Sequence, residues 1–178
     1  MKPLMTSAEI IYYIDIIINR DNIKPCDVLE WGAGGSTARF SRVLDAVGCP
    51  RSWLAIDHDP DWIARARAAS PGWVEFLFVP TGGDRRRPEL WADYVSPPAL
   101  AGRLFDLILV DGRMCRRCLE RAATLLRDER SLVVLHDAGR RHYHPALDRF
   151  ARGRFLGERV WVGQRRDDSE PRGSMVNR

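Results

Sequence analysis

Short apolar runs alternate with more polar segments along most of the chain. Such runs, bounded by polar residues or glycine, are typical of strands that are buried in a sheet. The segments between them carry helix-start signals, such as Asp59 followed by Pro60. The predicted strands are 28–31, 53–57, 73–79, 105–111 and 131–136, and the predicted helices are 36–47, 60–69, 114–127 and 143–151. This order predicts an α/β fold with a doubly wound, mostly parallel sheet.

A further helix is predicted ahead of this alternation, at about 7–19. Thr6-Ser7-Ala8-Glu9 has the form of a capping box, and the apolar run from Ile10 to Ile18 follows it. Asp15 interrupts the run, which is too short to span a bilayer. We therefore expect this helix to cover one face of the domain.

Two later stretches break the alternation. Between Pro80 and Leu104, frequent glycine, arginine and proline predict an irregular segment over the ligand pocket, with a short helix near 89–94. Phe155 to Gly163 is β-like, and Gly157-Glu158 could turn a tight hairpin, although a missing strand is the alternative. Residues 164–178 are polar without periodicity and are expected to form a disordered tail. The remainder, 1–163, is predicted to be a single domain, since 178 residues with 45% hydrophobic content have room for one core.

The first predicted strand leads into a glycine-rich segment, Asp27-Val28-Leu29-Glu30-Trp31-Gly32-Ala33-Gly34-Gly35-Ser36-Thr37. Glycines let backbone approach a ligand closely, and Ser36 or Thr37 can cap the next helix, whose free N–H groups suit an anionic group. A dinucleotide-binding loop would have a third glycine where Thr37 stands, and a phosphate-binding loop would need a nearby lysine. The pattern that remains is acidic-x-Gly-x-Gly, with Glu30 two residues ahead of Gly32.

Carboxylates recur where the other predicted strands end. Asp57 closes the second strand, at about the distance where a nucleotide-binding fold places its ribose-binding acid. Asp111 closes the run 105–111, and Asp137 follows the run 131–136 beside His136. Because open α/β sheets bind ligands at the carboxyl ends of their strands, we expect these side chains to surround one site.

Together these motifs resemble motifs of the class I, Rossmann-like S-adenosylmethionine (SAM) methyltransferases, and the resemblance extends from Val28 to Gly163. Four motifs are similar to those of one branch of this superfamily. They are the glycine segment quoted above; Ile-Asp-His-Asp-Pro-Asp-Trp; Val-Asp-Gly-Arg followed by Cys118; and His-Asp with Arg140 or Arg141 and Tyr143. That branch includes plant glucuronoxylan 4-O-methyltransferases and uncharacterised bacterial relatives, although Asp57 stands where Glu is expected. The resemblance implies a SAM-dependent O-methyltransferase that acts on a small-molecule or sugar-like acceptor.

The resemblance also implies cofactor-binding roles. The loop residues that would contact the methionyl part of SAM are Gly32, Gly34, Gly35 and Ser36. Glu30 would lie near the amino group, Asp57 would bind the ribose and His58 would lie beside the adenosine. Asp111 would be closest to the sulfonium methyl group.

An oxygen acceptor must lose a proton, so the site needs a base. Asp111, His136 and Asp137 are the candidate catalytic residues, with His142 and His144 on the next loop as weaker ones. Asp111 and Asp137 could alternatively share a divalent cation that lowers the acceptor's pKa, although two acids without a clear third ligand are few for such a site. His136 could also be a strand-end histidine that is hydrogen-bonded to backbone.

Arginine supplies almost all of the positive charge. The net charge is +4, with lysine only at Lys2 and Lys24. Arginine binds planar anions through two N–H groups, so a carboxylate, a phosphate or RNA could bind the arginines predicted beside the site, which are Arg113, Arg116, Arg117, Arg140 and Arg141. The alternative is a compositional preference for arginine on solvated faces. Two alternatives to an enzyme with a small, acidic acceptor therefore remain. One is an RNA methyltransferase, and the other is a protein that binds SAM or a related nucleoside without methylating.

The four cysteines, Cys26, Cys49, Cys115 and Cys118, fit reduced thiols better than a disulfide framework. Cys115-x-x-Cys118 could be a redox or zinc pair, but helix residues three apart share a face by default and a structural zinc site needs two more ligands. No apolar run is long enough to span a membrane and no signal-peptide core follows the first residues, so we expect a cytoplasmic protein without a membrane partner. An unpaired last strand would leave an edge for a homodimer.

Overall fold

The computed structural model describes residues 5–18, 26–48, 51–84 and 86–166. In this part of the chain, seven strands form one sheet. The strands are β1 (Cys26–Trp31), β2 (Arg51–Asp57), β3 (Val74–Phe78), β4 (Leu107–Val110), β5 (Leu132–His136), β6 (Ala151–Leu156) and β7 (Val160–Gln164). The helices are α1 (Ser7–Ile18), α2 (Gly35–Ala46), α3 (Pro60–Ala69), α4 (Ala92–Val95), α5 (Cys115–Ala122) and α6 (His144–Leu147), and short 3-10 helices cover Pro88–Trp91, Pro98–Leu100 and Arg141–Tyr143.

The strand order across the sheet is β3-β2-β1-β4-β5-β7-β6. Strands β1 to β5 are parallel, whereas β7 runs antiparallel to β5 and β6 antiparallel to β7. The register aligns Trp31 with Ile56 and Val110, and Val110 with Leu135. The residues that follow these four strands therefore emerge together at the carboxyl edge of the sheet. This mostly parallel, Rossmann-like sheet confirms the predicted fold class.

Successive residues of the central strands face two apolar cores, one on each side of the sheet. Leu29 and Trp31 of β1 pack in the core that includes residues of α5 and α6, whereas Val28 packs in the core that includes residues of α1, α2 and α3. Tyr13 of α1 stacks on Phe40 of α2, with the ring centroids 5.0 Å apart. Helix α1 therefore covers one face of the domain, as predicted.

The capping box predicted at the start of α1 is present. The Thr6 N–H donates to Glu9 Oε2 at 2.6 Å, and the Glu9 N–H donates to Thr6 Oγ1 at 3.3 Å. Each side chain thus satisfies a backbone amide that the first turn of a helix would leave without a partner. Although it lies in the first turn, Glu9 is only 5% exposed.

Both strands of the closing hairpin are present, which corrects two expectations. The helix predicted at 143–151 is shorter, because Ala151 already begins β6 and Arg152 has a φ of +49° that a continued helix does not allow. The segment predicted as β-like at 155–163 contains parts of both strands and the turn between them, where Gly157 has a φ of +66°. The alternative of a missing strand is therefore wrong.

Other boundaries differ from the sequence pattern. Helix α5 ends at Ala122 rather than 127, because Leu126 pairs with Phe105 in an isolated parallel bridge beside the sheet. The single helix predicted near 89–94 is a 3-10 helix followed by α4. Residues 164–166, which were expected to belong to the disordered tail, are ordered: Gln164 ends β7, and the two arginines after it donate hydrogen bonds to backbone carbonyls.

The rest of the predicted tail, 167–178, lies outside the described residues, as do Cys49 and the last position of the predicted 7–19 helix. Across the described ranges, no helix is both long and apolar enough to cross a membrane.

Candidate active site

A cleft of about 420 Å³ opens at the carboxyl edge of the sheet, which is a volume typical of small-molecule sites. All of the predicted cofactor residues except Glu30 line it, as do the three candidate catalytic residues: Gly32, Gly34, Gly35, Ser36, Asp57, His58, Asp111, His136 and Asp137. The cleft is also lined by Arg113, Arg140 and Tyr143, which the sequence motifs included. Lining residues that the sequence did not single out for the site are Asp59, Trp62, Gly112, Cys115 and Arg159.

The glycine loop after β1 packs backbone against backbone on the loop after β4. Gly32 has a φ of +103°, and a Cβ there would lie 2.6 Å from the backbone nitrogen of Gly112. A Cβ on Gly34 would lie 2.9 Å from Nε1 of Trp62, which flanks the loop from α3. Glycine is therefore required at Gly32 by both conformation and space.

Glu30 lies beneath this loop rather than in the cleft. Its fully buried carboxylate accepts hydrogen bonds from Ser36 Oγ at 2.5 Å, Thr37 Oγ1 at 2.6 Å and Trp53 Nε1 at 3.0 Å. Thr37 Oγ1 in turn accepts from the Gly34 N–H at 2.8 Å. Burial raises the pKa of Glu30 to about 7, against the opposing effect of the three hydrogen bonds. Glu30 thus shapes the loop, and its predicted place near the SAM amino group stays a prediction.

Asp57 presents a carboxylate at the end of β2. Its Oδ1 accepts the backbone N–H of His58 at 2.7 Å and of Asp59 at 3.0 Å. Burial raises the pKa of Asp57, although these amides and the neighbouring His58 favour the ionised form. Asp59 caps α3 as predicted, accepting from the amides of Asp61 and Trp62 at 3.0 Å each. Hydrogen bonds to Asp57 and Asp59 therefore fix the loop between β2 and α3.

Aromatic rings surround the imidazole of His58. Its centroid lies 5.1 Å from the ring of Trp91 and 5.9 Å from that of Tyr94, and Tyr94 is nearly perpendicular to it. Trp91 and Tyr94 come from the irregular segment that was expected to lie over the pocket. Trp91 and Tyr94 are buried behind His58, which lines this end of the cleft beside Asp57.

At the other end, His136 lies among three carboxylates and is only 4% exposed. Its Nδ1 lies 2.8 Å from Asp111 Oδ1 and 3.8 Å from Asp137 Oδ1, and its Nε2 lies 3.5 Å from Glu9 Oε1. Burial lowers the pKa of His136, but the hydrogen bond and charge of Asp111, with the charges of the other two acids, outweigh it and raise the pKa overall. His136 is therefore more than a strand-end histidine bonded to backbone.

Asp137 is held by two arginines. Its Oδ2 lies 2.5 Å from Arg140 Nη2, and its Oδ1 accepts from Arg159 Nη2 at 2.5 Å and Nε at 3.1 Å. Although burial opposes ionisation, Arg159, His136 and Arg140 lower the pKa of Asp137. A carboxylate so occupied is a weak base, which leaves Asp111 as the better placed of the two acids.

Glu9 and Arg159 contact the candidate catalytic residues His136 and Asp137, but the sequence pattern did not identify either of them as functional. Glu9 was recognised only as part of a capping box, and its contact with His136 joins α1 to β5. Arg159 lies just before β7 and reaches both Asp137 and Glu9, with its Nε 3.4 Å from Glu9 Oε1. Both contacts join distant parts of the chain, so no local pattern pointed to them.

The remaining predicted arginines and histidines lie outside the cleft lining. Arg116 pairs with Glu120 at 3.3 Å, and Arg117 Nη1 donates to the carbonyl of Pro88 at 2.7 Å. His144 Nε2 lies 3.0 Å from the carbonyl oxygen of Ala138, and His142 packs against the Tyr143 ring. Arg141 is exposed.

Cys115 and Cys118 share the buried side of α5, and burial raises the pKa of both thiols. Protonated, buried thiols are poor nucleophiles and poor metal ligands. Within the described ranges, no group of three or more His, Cys, Asp or Glu side chains is placed to hold a metal ion. The structure thus gives no support to a zinc site or a shared divalent cation.

Comparisons with known proteins place this fold. No family model and no curated protein matches the chain. A methyltransferase-like protein from Silicibacter pomeroyi superposes with a TM-score of 0.68 at 18% identity, over 93% of this chain and 89% of that one. Human methyltransferase-like protein 13, solved with S-adenosylhomocysteine (SAH), superposes with a TM-score of 0.59 at 17% identity, over 92% of this chain and 83% of that one. TrmN from Thermus thermophilus superposes with a TM-score of 0.55 at 21% identity, over 84% of this chain and 47% of that one.

At these identities the likeness establishes the fold. The chain has the Rossmann-like fold found in class I SAM methyltransferases, and the cleft lies where open α/β sheets bind ligands.

Proposed function

We propose that the protein transfers a methyl group from SAM to an oxygen atom of a small, acidic, sugar-like acceptor. The observation that carries the proposal is the convergence of the glycine loop, Asp57 and Asp111 on one cleft at the carboxyl edge of a methyltransferase fold. Fold alone does not define a reaction, so the argument rests on the residues of this cleft.

The residues at one end of the cleft fit a nucleoside with a charged amino-acid tail. The N-terminus of α2 presents backbone N–H groups at Gly35 and Ser36, which suit a carboxylate. Asp57 accepts two amides through Oδ1, and its Oδ2 has no hydrogen-bond partner among the described residues, so it can accept from ribose hydroxyls. The ring of His58 lines the cleft, is backed by the buried rings of Trp91 and Tyr94, and offers a planar surface for a purine base.

The other end fits the acceptor. SAM, when bound, supplies an activated methyl group, so the protein's own task is to orient the acceptor and receive its proton. The Asp111 side chain is 28% exposed and lines the cleft, whereas His136 behind it is buried. Asp111 is therefore the group that meets the acceptor hydroxyl, and His136 orients it.

Arginines at the same end support an acidic acceptor. Arg113, Arg140 and Arg159 line the cleft near Asp111, and the exposed Arg113 guanidinium can face a ligand carboxylate. The resemblance to the glucuronoxylan 4-O-methyltransferase branch agrees with a sugar acid, since the arginine side chains suit its carboxylate.

The test is SAH release from SAM with matched acceptors. Uronic acids and the corresponding neutral sugars would be compared at equal concentration. We expect SAH to form with the acids and much less with the neutral sugars. SAM binding with no turnover on either set would instead favour a protein that binds SAM without methylating.

A further inference from the structure

Helix α1 contributes a charged side chain to the back of the candidate active site. Glu9 is 5% exposed and His136 is 4% exposed, and the two face each other, Glu9 from α1 and His136 from the end of β5. Glu9 Oε1 lies 3.5 Å from His136 Nε2, on the opposite side of the imidazole from Asp111. The ring is thus held between two carboxylates, one of which lines the cleft.

The orientation of Glu9 is set by contacts other than His136. Oε2 accepts the Thr6 N–H at 2.6 Å through the capping box, while Oε1 also lies 3.4 Å from Arg159 Nε. Both oxygens of Glu9 thus have partners besides His136. The start of α1 therefore delivers a fixed negative charge to the far side of the ring.

The charges of Asp111, Asp137 and Glu9 raise the pKa of His136, and other titratable or charged groups lie on the elements around it. Asp111 follows β4, Asp137 and Arg140 follow β5, Arg159 precedes β7, and Glu9 and the buried Tyr13 lie on α1. Each ring nitrogen faces a carboxylate, and a neutral imidazole could donate to only one of them. His136 Nε2 makes no hydrogen bond among the described residues, so Glu9 acts on the ring through its charge at 3.5 Å, and a positively charged ring is attracted by both carboxylates.

We propose that Glu9 is a positioning residue of this site, which keeps His136 doubly protonated and so keeps its Nδ1–H directed at Asp111. One Asp111 oxygen is then occupied and the carboxylate is oriented, as outer-shell acids orient histidines in other sites. The consequence for methyl transfer rests on the proposed function, whereas the ionisation of His136 can be measured without it.

The test is an NMR titration of the histidine ring nitrogens in the wild type and in Glu9→Gln. Glutamine still fits a capping box, so the start of α1 is retained while the charge is removed. We expect the pKa of His136 to fall by about 1 pH unit in the variant, since a carboxylate this close typically shifts a neighbour by that much or more. An unchanged His136 titration in a folded Glu9→Gln protein would overturn the proposal.

Glu89→Gln is the matched control, because Glu89 is an exposed glutamate that pairs with Arg87 at 2.9 Å. It should leave the His136 titration unchanged. Should Glu9→Gln not fold, the wild type decides alone: the pKa of His136 is expected to lie above that of an ordinary histidine, and an unshifted or lowered pKa would overturn the proposal. Failure of SAM binding would leave this result standing and would count only against the proposed function.

Discussion

Asp111 lies between the cleft and the buried ring of His136. Its Oδ1 contacts His136 Nδ1 at 2.8 Å, and its side chain remains partly exposed. Asp137, one strand further along, has its oxygens engaged by Arg140 and Arg159. The two acids that look equivalent in the sequence therefore differ in their surroundings: Asp111 keeps one oxygen open to the cleft, whereas both oxygens of Asp137 pair with arginines.

Substituting Asp111 by Asn should remove the base while keeping the shape of the loop. We expect turnover to fall by roughly 10²- to 10⁴-fold, which is the usual contribution of a positioned base. SAH affinity from calorimetry should stay close to that of the wild type. The exposed Asp93→Asn is the control, and equal turnover of Asp111→Asn and the control would remove Asp111 from the mechanism.

The buried carboxyl group of Glu30 should make the stability of the protein depend on pH. Its pKa is about 7 in the folded protein against 4.5 for the free side chain, so the folded state binds the proton more tightly. Stability from this group is complete below about pH 4.5 and is lost as the pH rises to about 7. Relative to Glu30→Gln, the wild type should lose roughly 3 kcal/mol of unfolding free energy across that window.

Urea unfolding of both proteins at several pH values measures this difference, because groups common to both cancel. A constant difference between pH 5 and pH 8 would show that Glu30 titrates normally, contrary to its burial beneath the loop.

The side chains that could be predicted from the sequence are those at strand ends. Asp57, Asp111 and the glycines stand directly after apolar runs, so the parallel sheet brings them to one edge. Glu9 and Arg159 could not be predicted in this way. Their contacts depend on how α1 and the hairpin pack against β5, which the local pattern does not encode.

The loops after β1 and β4 touch through their backbones, which makes Gly32→Ala a severe change. Both the left-handed φ of Gly32 and the 2.6 Å approach to Gly112 oppose a Cβ. Gly83→Ala is the matched control, because Gly83 has a φ of +79° but no atom within 4 Å of its Cβ position. The control should cost about 1 kcal/mol of stability, and Gly32→Ala more than about twice that. Equal costs in urea unfolding would mean that the loops are not tightly packed.

Strands were predicted better than helices. A buried strand is marked by a short apolar run, and the strands predicted for the parallel part of the sheet lie within a few residues of β1 to β5. The helix predicted at 143–151 ends early, at Leu147, and Ala151 pairs with Gln164 in the hairpin. That pairing is a contact between distant residues, and it overrides the local preference of the segment.

Across the molecule, many arginines are neutralised by acids. Arg127 pairs with Asp27 and Asp106, Arg103 with Glu75 at 3.3 Å, and Arg116 with Glu120. Among the described residues, acids and arginines are therefore mixed on the surface, and the net charge of the full sequence is only +4.

We therefore expect weak RNA binding with a shallow salt dependence, measured by fluorescence anisotropy with a labelled single-stranded RNA. An RNA methyltransferase would neutralise several phosphates and lose affinity steeply between about 50 and 200 mM salt. A steep slope would revive that alternative.

The predicted homodimer stays a prediction. The edges of the sheet at β3 and β6 are the surfaces where such a dimer could form.

Calorimetric titration of SAH into the wild type and Asp57→Asn asks whether the cleft is a SAM site. Asparagine retains an oxygen for the His58 and Asp59 amides but loses the charge offered to ribose hydroxyls. We predict one-to-one binding to the wild type, weakened roughly ten- to a hundredfold in Asp57→Asn and unchanged in the exposed control Asp61→Asn. Absence of binding to the wild type, or equal affinity in Asp57→Asn, would contradict the assignment.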